Sequence, residues 1–451
     1  MEAEVDRDIK INLPEKVSFI IDRLMENGFE AFAVGGCVRD TILGRCPNDW
    51  DITTSAKPAD IKKIFSRTID TGIEHGTVTV MLEHQGFEVT TYRIDGEYED
   101  NRHPKEVRFT PDLKEDLKRR DFTINAMAYN DERGIVDEFG GIEDLENGII
   151  KCVGVAEERF NEDALRILRA VRFGAQMDFQ IEEATAAAIK KLSGNLVHIS
   201  HERIQAELEK LIMSSHPESM RTAYELGITK WIIPEFDNMM ETPQNSKYHR
   251  YNVGEHTIKV MENVEPNHYL RWAALLHDVG KPIKHTIGND GYSHFYGHGE
   301  AGEKISEEIL KNLKFDNKTV KIVSRLVKFH DYDIKPNEKS VRKAVVKVGN
   351  DIFPYLLKLR RADLSGKSRY SIELTTPVFD KVEEIYEFVV KRGDCMSRSE
   401  MAVNGRDLIE WGLKPGEQVG EGLDYLFESI LKNPELNTKE QLKELLKKSF
   451  T

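Results

Sequence analysis

The feature that most constrains this chain is a change of pattern near residue 156. From about 30 to 155, β-type segments (FEAFAVGG, WDITT, TVTVML, FEVTTYR, GIVDEFGG, GIIKCVGV) alternate with shorter helical stretches. From about 157 onward Ala, Leu, Glu and Lys recur at helical spacing almost throughout, with Gly and Pro breaks near 214–217, 234–243, 282–291 and 412–416. Residues 14–28 read as an amphipathic helix ended by Gly28. No internal repeat interrupts either half. The pattern predicts an α+β chain, a small mixed-sheet head followed by a mostly α-helical body. With 451 residues, at roughly 100–200 per domain, about three domains are expected.

Composition narrows the class. Hydrophobic residues at 39 % and charged residues at 31 % exclude a disordered chain. No run approaches the ~18 apolar residues of a membrane span, so no membrane partner is expected. The start, MEAEVDRDIK, lacks the apolar core of a signal peptide. Cys37, Cys46, Cys152 and Cys395 have no metal spacing, which suits a reducing, cytoplasmic setting. The net charge of −14 argues against a protein that coats nucleic acid through bulk charge, without excluding a local basic track.

Chemistry concentrates first in residues 31–55. Gly35 and Gly36 follow an apolar strand and precede a helix, where backbone amides can approach a phosphate; glycine pairs also simply end strands. Asp49 and Asp51 flank Trp50 on a predicted strand, and period-2 geometry points both carboxylates to one face. Such like charges repel unless a cation lies between them, and a carboxylate-held divalent metal pair does phosphoryl-transfer chemistry. Two solvated acids on an edge strand are the plainer alternative, and the upstream Gly-Gly favours the metal. Glu88, on a later strand, is the candidate third carboxylate.

Together, GGCVRD and DWDIT resemble the nucleotidyltransferase head of class II tRNA CCA-adding enzymes and bacterial poly(A) polymerases. Four further stretches match that family in order over about 30–235: RRDFTINA (119–126), DEFGGIEDL (137–145), EDALRILRAVR (162–172) and SHERIQAE (200–207). The resemblance implies two Mg2+ ions on Asp49 and Asp51, and tRNA, CTP and ATP as partners. It assigns Arg39, Asp40, Arg120 and Asn125 to the nucleotide site, EDALRILRAVR as the nucleotide-selecting helix and SHERIQAE as its brace. In the family a flexible loop corresponding to 94–108 (IDGEYEDNRHPKEVR) is needed to add the final A and is lacking in enzymes that add only CC, so its presence favours full CCA addition, although poly(A) polymerases have related loops.

Residue chemistry supports the selecting helix independently. Asp163 and Arg166 are three apart and are expected to share a helical face. A carboxylate accepts from an exocyclic amine and a guanidinium donates to a ring nitrogen or carbonyl. Cytosine and adenine both offer an amine beside an unprotonated ring nitrogen; uracil and guanine offer a carbonyl beside an N–H. One Asp–Arg pair therefore accepts CTP and ATP, although a routine intrahelical ion pair is the plainer use of the spacing. Arg39, Arg119, Arg120 and Arg169 are the candidate triphosphate clamps, their alternative being a solvated basic face.

A second constellation lies in the body. His256 in HTIKVM, His277 and Asp278 in LLHDVGKP, His298 in HFYGHGEAG, His330 in VKFHDYD and Asp363 in LRRADLSG are similar in order to the HD-domain metal-dependent phosphohydrolases, including the fuller set of the binuclear members. Imidazoles and carboxylates together suit a second divalent transition metal, and Lys281 would hold a phosphate beside it. Any one of these histidines alone would read as a hydrogen-bonded helix residue. Between Phe315 and Tyr370 there are 14 Lys/Arg and 6 Asp/Glu, a local +8 that leaves −22 elsewhere and would suit a tRNA backbone.

The expectation is thus an N-terminal helix (1–30), a nucleotidyltransferase head (31–155), a helical neck (156–235), an HD body (236–371) and a helical tail (372–451) carrying NGRDLIEWGLKPG. The expected reaction is CCA addition to tRNA with pyrophosphate release. Poly(A) polymerase or an A-adding enzyme is the nearest rival, an HD phosphohydrolase the second, and a non-enzymatic RNA scaffold the third. Oligomeric state is not legible.

Overall fold

A computed structural model describes residues 9–96 and 107–450. The chain divides into two compact units, Met1–Pro234 and Glu235–Thr451.

The first unit is built on a seven-stranded mixed sheet: β1 (Ala31–Val34), β2 (Ile52–Thr54), β3 (Thr68–Gly72), β4 (Thr77–Leu82), β5 (Gln85–Thr91), β6 (Met127–Asn130) and β7 (Gly134–Asp137), in spatial order β3-β4-β5-β2-β1-β6-β7. Only β2 and β5 run parallel, with Ile52 beside Val89. The sequence pattern anticipates five of these strands; β3 and β6 are additional, β6 because MAYN is buried on both faces and so shows no alternation. Phe32, Val34, Tyr92, Leu117, Ala128 and Val136 make the core beneath the sheet. Thr53, Thr54 and Thr91 are buried in the strands with satisfied hydroxyls; Thr54 Oγ1 donates to Glu30 O at 2.6 Å and Thr91 Oγ1 to Ala56 O at 2.7 Å. The first helix runs Glu15–Glu26, just short of Gly28. Helices Ala156–Glu162, Leu165–Met177, Glu183–Leu192 and His201–Ile212, with the shorter Met220–Glu225 and Thr229–Ile232, follow, and a two-residue pairing of Ile149–Ile150 with Gln180–Ile181 ties the sheet region to them.

The second unit is helical apart from a small hairpin, Thr286–Ile287 with Ser293–His294. Side-chain caps mark where its helices begin. Asn252, Asn267, Asp316 and Asn337 each accept a backbone N–H of the first turn, contributions of about 1 kcal/mol apiece. Trp272, fully buried, meets the Phe315 ring edge-on at 4.8 Å. Asn404 and Asp407 of the NGRDLIEWGLKPG stretch form a reciprocal capping box, and Leu408, Leu426, Ile430, Leu442 and Leu446 make a separate core around it. No helix among the described residues is long and apolar enough to cross a membrane.

Candidate active site and a second buried cluster

Gly35 opens the first site. Its φ of +81° with ψ of −128° is open to glycine alone, and a Cβ there would lie 3.0 Å from the Arg120 guanidinium. The helix that follows starts at Gly36 and carries Arg39 and Asp40. Asp49 and Asp51 do not lie on the strand, as the sequence pattern predicts, but in the extended segment leading into β2, which begins at Ile52. The cause is local: Asp51 O accepts from Val34 N at 3.0 Å, while residues 45–50, with Pro47, leave the ladder. Both carboxylates remain exposed. Glu88 stands on β5 one register step from the Ile52–Val89 pair, so parallel pairing sets it beside Asp51. Crowding by protein atoms raises the Asp51 pKa, the Asp49 charge adds to the rise, and Arg120 opposes it. Three acids thus lie at one strand end, with Arg120 as the cation that acts on Asp51.

Behind them lies a web of arginines. Arg39 donates to Asp40 at 2.8 Å and to Asn125 Oδ1 at 2.5 Å, and Asn125 donates to Asp121 at 3.1 Å. Asp121 is held in turn by Arg169 at 2.7 Å. Burial alone would raise the Asp121 pKa, but Arg169, Asn125 and Arg166 outweigh it and hold the carboxylate well below the usual range. Glu207 lies 3.1 Å from Arg172, whose pKa burial pushes down to about 10 against that ion pair. The guanidinium groups of Arg39, Arg169 and Arg172 surround the Phe173 ring at 5.1, 5.4 and 3.9 Å. Arg119 and Arg120 both converge on Asp116, which is fully buried and also accepts from Thr53 Oγ1 at 3.1 Å.

The structure therefore gathers Arg39, Asp40, Asn125 and Arg169 around Asp121, and Arg119 and Arg120 around Asp116, by anchors that the motifs alone do not name. Asp116, Asp121 and Glu207 neutralise them. Asp116 is visible in retrospect, three and four residues ahead of Arg119 and Arg120. In DEFGG, Asp137 accepts from Gly141 N and Ile142 N at 2.8 Å, and a Cβ on Gly141 would strike Thr123 O at 2.4 Å, so the turn packs closely on the segment that carries Asn125.

Asp163 and Arg166 differ from expectation. They do not share one helix, because Asp163 has extended backbone (φ −141°) in the break between Ala156–Glu162 and Leu165–Met177. Its Oδ1 accepts from Leu165 N at 3.1 Å, as short acidic side chains do where a helix starts. Nor do the two pair with each other. Arg203 grips Asp163 at 2.7 and 3.3 Å, while Arg166 binds Glu162 at 2.8 Å and Arg119 O at 2.9 Å. Arg203 is a site residue the sequence reading missed, although it lies within the SHERIQAE brace. Residues 97–106 of the 94–108 loop lie outside the described residues, which show only its base, Arg93–Asp95 paired with Val107–Phe109.

In the second unit, His256, His277, Asp278, His298, His330 and Asp363 are all buried and converge. Asp278 Oδ2 lies 3.1 Å from His277 and 2.7 Å from Lys281, and its Oδ1 lies 3.4 Å from His330 and 3.7 Å from His298. Yet neither Asp278 oxygen nor His277 Nε2 has a hydrogen bond among the described residues. The ring nitrogens facing away are spoken for: His277, His298 and His330 use Nδ1 on the carbonyls of Ala274, Phe295 and Val327. Each Nε2 is thereby turned toward Asp278, the usual preparation of imidazole ligands. His256, His277 and Asp278 form one potential ligand group, and Asp278, His298 and His330 another. Burial raises the Asp278 and Asp363 pKa values, but His277 and Lys281 for the first, and Lys367 and His256 for the second, hold both well below the carboxylate range. Gly280 is required for close approach, since a Cβ there would lie 2.2 Å from His298 O.

Half of the cations of the 315–370 basic stretch are paired within the protein. Lys328, Arg342, Lys343, Lys358, Arg361, Lys367 and Arg369, seven of the fourteen, form ion pairs with carboxylates.

A glycine turn, paired acids at a strand end and an arginine web define a nucleotidyltransferase head of the polymerase type, and the poly A polymerase head domain family matches residues 31–151. A family named for RNA and SrmB binding in polymerase A matches 178–240, and tRNA nucleotidyltransferase domain 2 matches 295–446. The chain is 37 % identical to a CCA-adding enzyme of Ligilactobacillus salivarius over 97 % of this chain and 98 % of that one. It is 34 % identical to one of Listeria monocytogenes over 95 % and 96 %. The CCA-adding enzyme of Bacillus stearothermophilus in complex with CTP superposes with a TM-score of 0.73 at 30 % identity, covering 97 % of this chain and 98 % of that one. The Thermotoga maritima enzyme complexed with tRNA shares the fold, at a TM-score of 0.63 and 20 % identity over 97 % of each. This chain belongs to the CCA-adding enzyme family.

Proposed function

We propose that the first unit adds C, C and A to tRNA 3′ ends from CTP and ATP, with Asp49 and Asp51 as the metal ligands and Glu88 as the third carboxylate. The exposed acids gathered at the β2 edge, beside the Gly35 turn and the arginine web, carry this reading. Magnesium, when bound there, supplies charge neutralisation and lowers the pKa of the attacking hydroxyl. Arg39 and Arg120, beside Gly35 and Gly36, orient the triphosphate. Asp163, aimed by Arg203, accepts from the exocyclic amine of cytosine or adenine, and Arg166 donates to the neighbouring ring acceptor. The tRNA 3′ oxygen bonds to the α-phosphorus as the bond to pyrophosphate breaks. Arg169 serves from behind, since Asp121 and Glu207 already engage it. The unpaired thiols fit a cytoplasmic setting.

The test is incubation of the purified chain with tRNA ending at the discriminator base, with CTP and ATP separately and together. Labelled CTP is expected to enter two positions and ATP one. Incorporation of ATP alone would instead favour poly(A) polymerase or A-only addition.

A second reading concerns the buried cluster. An HD-type fold and a divalent transition metal on His256, His277, Asp278, His298, His330 and Asp363 are supported by the two potential ligand groups that share Asp278 and by the imidazoles oriented toward it. Such a metal would supply hydroxide for phosphoester hydrolysis, and Lys281, bridging Asp278 and Gln244, is placed to meet a phosphate. Metal analysis of the chain after loading with manganese, nickel or zinc tests it. Stoichiometric metal that is lost in Asp278→Ala supports the reading; none retained overturns it.

A further inference from the structure

Three segments of the second unit, 245–251 (NSKYHRY), 281–296 (KPIKHTIGNDGYSHFY) and 365–370 (SGKSRY), hold six Lys or Arg against one Asp, together with five tyrosines. The structure laces them together. Ser293 N donates to Asn245 O at 2.9 Å and Asn245 N to Ser293 Oγ at 3.2 Å. Ser368 N donates to Tyr248 O at 3.0 Å and Ser368 Oγ to Lys247 O at 2.7 Å. Two more bonds seat the lacing on the histidine cluster: His256 Nδ1 meets Gly366 O at 3.2 Å, and Lys281 donates to Gln244 at 2.7 Å. The three segments therefore form a fixed rim over the buried ligand set.

The outward side of that rim is aromatic and basic. Tyr296 is 80 % exposed and lies parallel to His294, with centroids 5.4 Å apart and planes 7° apart. Tyr248 and Tyr370, also exposed, lie 5.8 Å from each other, and the Lys247 ammonium sits 5.2 and 5.1 Å from their rings. Lys247, Arg250 and Lys284 form no ion pair among the described residues. A single exposed tyrosine needs no explanation. Several on one hydrogen-bonded rim, interleaved with cations, offer flat faces for bases and positive charge for a phosphate backbone.

We infer that Tyr248, Tyr296 and Tyr370, with Lys247, form a stacking rim that selects a nucleoside phosphoester, base on the tyrosines and phosphate toward Lys281. The inference rests on the reading of the cluster as a metal site. The same chemistry is carried by a free nucleotide and by an RNA 3′ end, and the experiment separates them.

The full-length chain is irradiated with either a 4-thiouridine mononucleotide or a hexaribonucleotide ending in 4-thiouridine, and crosslinked peptides are mapped by mass spectrometry. Crosslinks within 247–251, 292–296 or 369–370 are expected. Their appearance with the oligonucleotide alone identifies an RNA end as the occupant, and with both probes a free nucleotide. Crosslinks confined to other segments overturn the inference. In parallel, Tyr248→Ala, Tyr296→Ala and Tyr370→Ala are expected to raise the KM for manganese-dependent hydrolysis of a nucleoside 2′,3′-cyclic phosphate by about tenfold each, with kcat unchanged and the Phe variants restoring it. An equal rise on a base-free glycerol cyclic phosphate overturns the stacking role. Rim crosslinks in a wild-type chain that hydrolyses neither ester would discard the metal reading and leave the rim standing.

Discussion

Two acid-built sites in this chain solve the same electrostatic problem in opposite ways. At the β2 edge, Asp49, Asp51 and Glu88 are exposed, and the Asp51 pKa is raised by burial of its surroundings and by the Asp49 charge. In the second unit, Asp278 and Asp363 are buried yet held well below the carboxylate range by imidazoles and lysines packed around them. Desolvation opposes ionisation at both; what differs is whether the compensating charge is part of the protein. An open site whose charge balance is left unfinished suits ligands that arrive and leave each cycle, as a nucleoside triphosphate with its metals must. A sealed site with its cations in place suits a resident ion.

The largest effects follow from removing the acids themselves. Asp49→Ala with Asp51→Ala should lower labelled CTP and ATP incorporation by about a thousandfold or more, since Glu88 alone cannot hold two metals. The exposed carboxylates support no packing, so the unfolding midpoint should barely move. In the sealed site the balance reverses. Asp278→Ala strands Lys281 beside buried imidazoles, and loss of one partner of a buried charge cluster typically costs about 3–5 kcal/mol. Denaturant unfolding should show that loss, whereas His277→Ala should leave CTP incorporation within about threefold of wild type. Equal stability losses at the two sites would break the comparison.

Much of this was legible before the structure, and the exceptions have physical causes. The helix over 14–28, the glycine turn and the order of the histidine cluster follow from periodicity and from residue types that few local structures accept. β6 was invisible because a strand buried on both faces has no alternation to read. The Asp163 error came from continuing the helical period through a residue that prefers to end it; the short side chain binds Leu165 N and breaks the helix at that point. Arg203 and Asp121 sat inside recognised stretches, but a pairing across 40 or 48 residues is a tertiary fact. The pairing within the basic stretch at 315–370 was hidden for the same reason, because several acidic partners, such as Glu265, Asp380, Glu383 and Glu428, lie outside it.

A smaller effect tests how the open site is aimed. Arg203 holds Asp163 through two guanidinium contacts, and Arg166 is fixed independently by Glu162 and a carbonyl. Arg203→Ala should free the Asp163 carboxylate without removing it. Incorporation of CTP should then fall by about tenfold, the worth of one charge-assisted pair, with a proportionate rise in UTP misincorporation. Arg203→Lys should restore only part of this, because a point charge cannot hold a carboxylate by two bonds. Unchanged discrimination in Arg203→Ala would mean that Asp163 is positioned by its own backbone contact.

The smallest effect is the most direct reading of the difference between the two sites. In metal-free protein the raised Asp51 pKa means the folded state binds its proton more tightly than the unfolded chain does, so the ionised group is a burden on the fold. That burden is absent below the ordinary carboxylate value, where both states are protonated, and is fully present above the raised folded value. Asp51→Asn should accordingly unfold at a slightly higher temperature than wild type near pH 7, with the gap closing as the pH falls below about 4. Millimolar magnesium should reverse the sign at pH 7, since only the carboxylate gains from the cation. At Asp278 the order is opposite: its lowered pKa makes the ionised form an asset that is lost on acidification, so Asp278→Asn should be the less stable chain near pH 7 with or without magnesium. A stabilising Asp278→Asn, or an Asp51→Asn gap indifferent to magnesium, would erase the distinction between a site awaiting its charge and one that carries it.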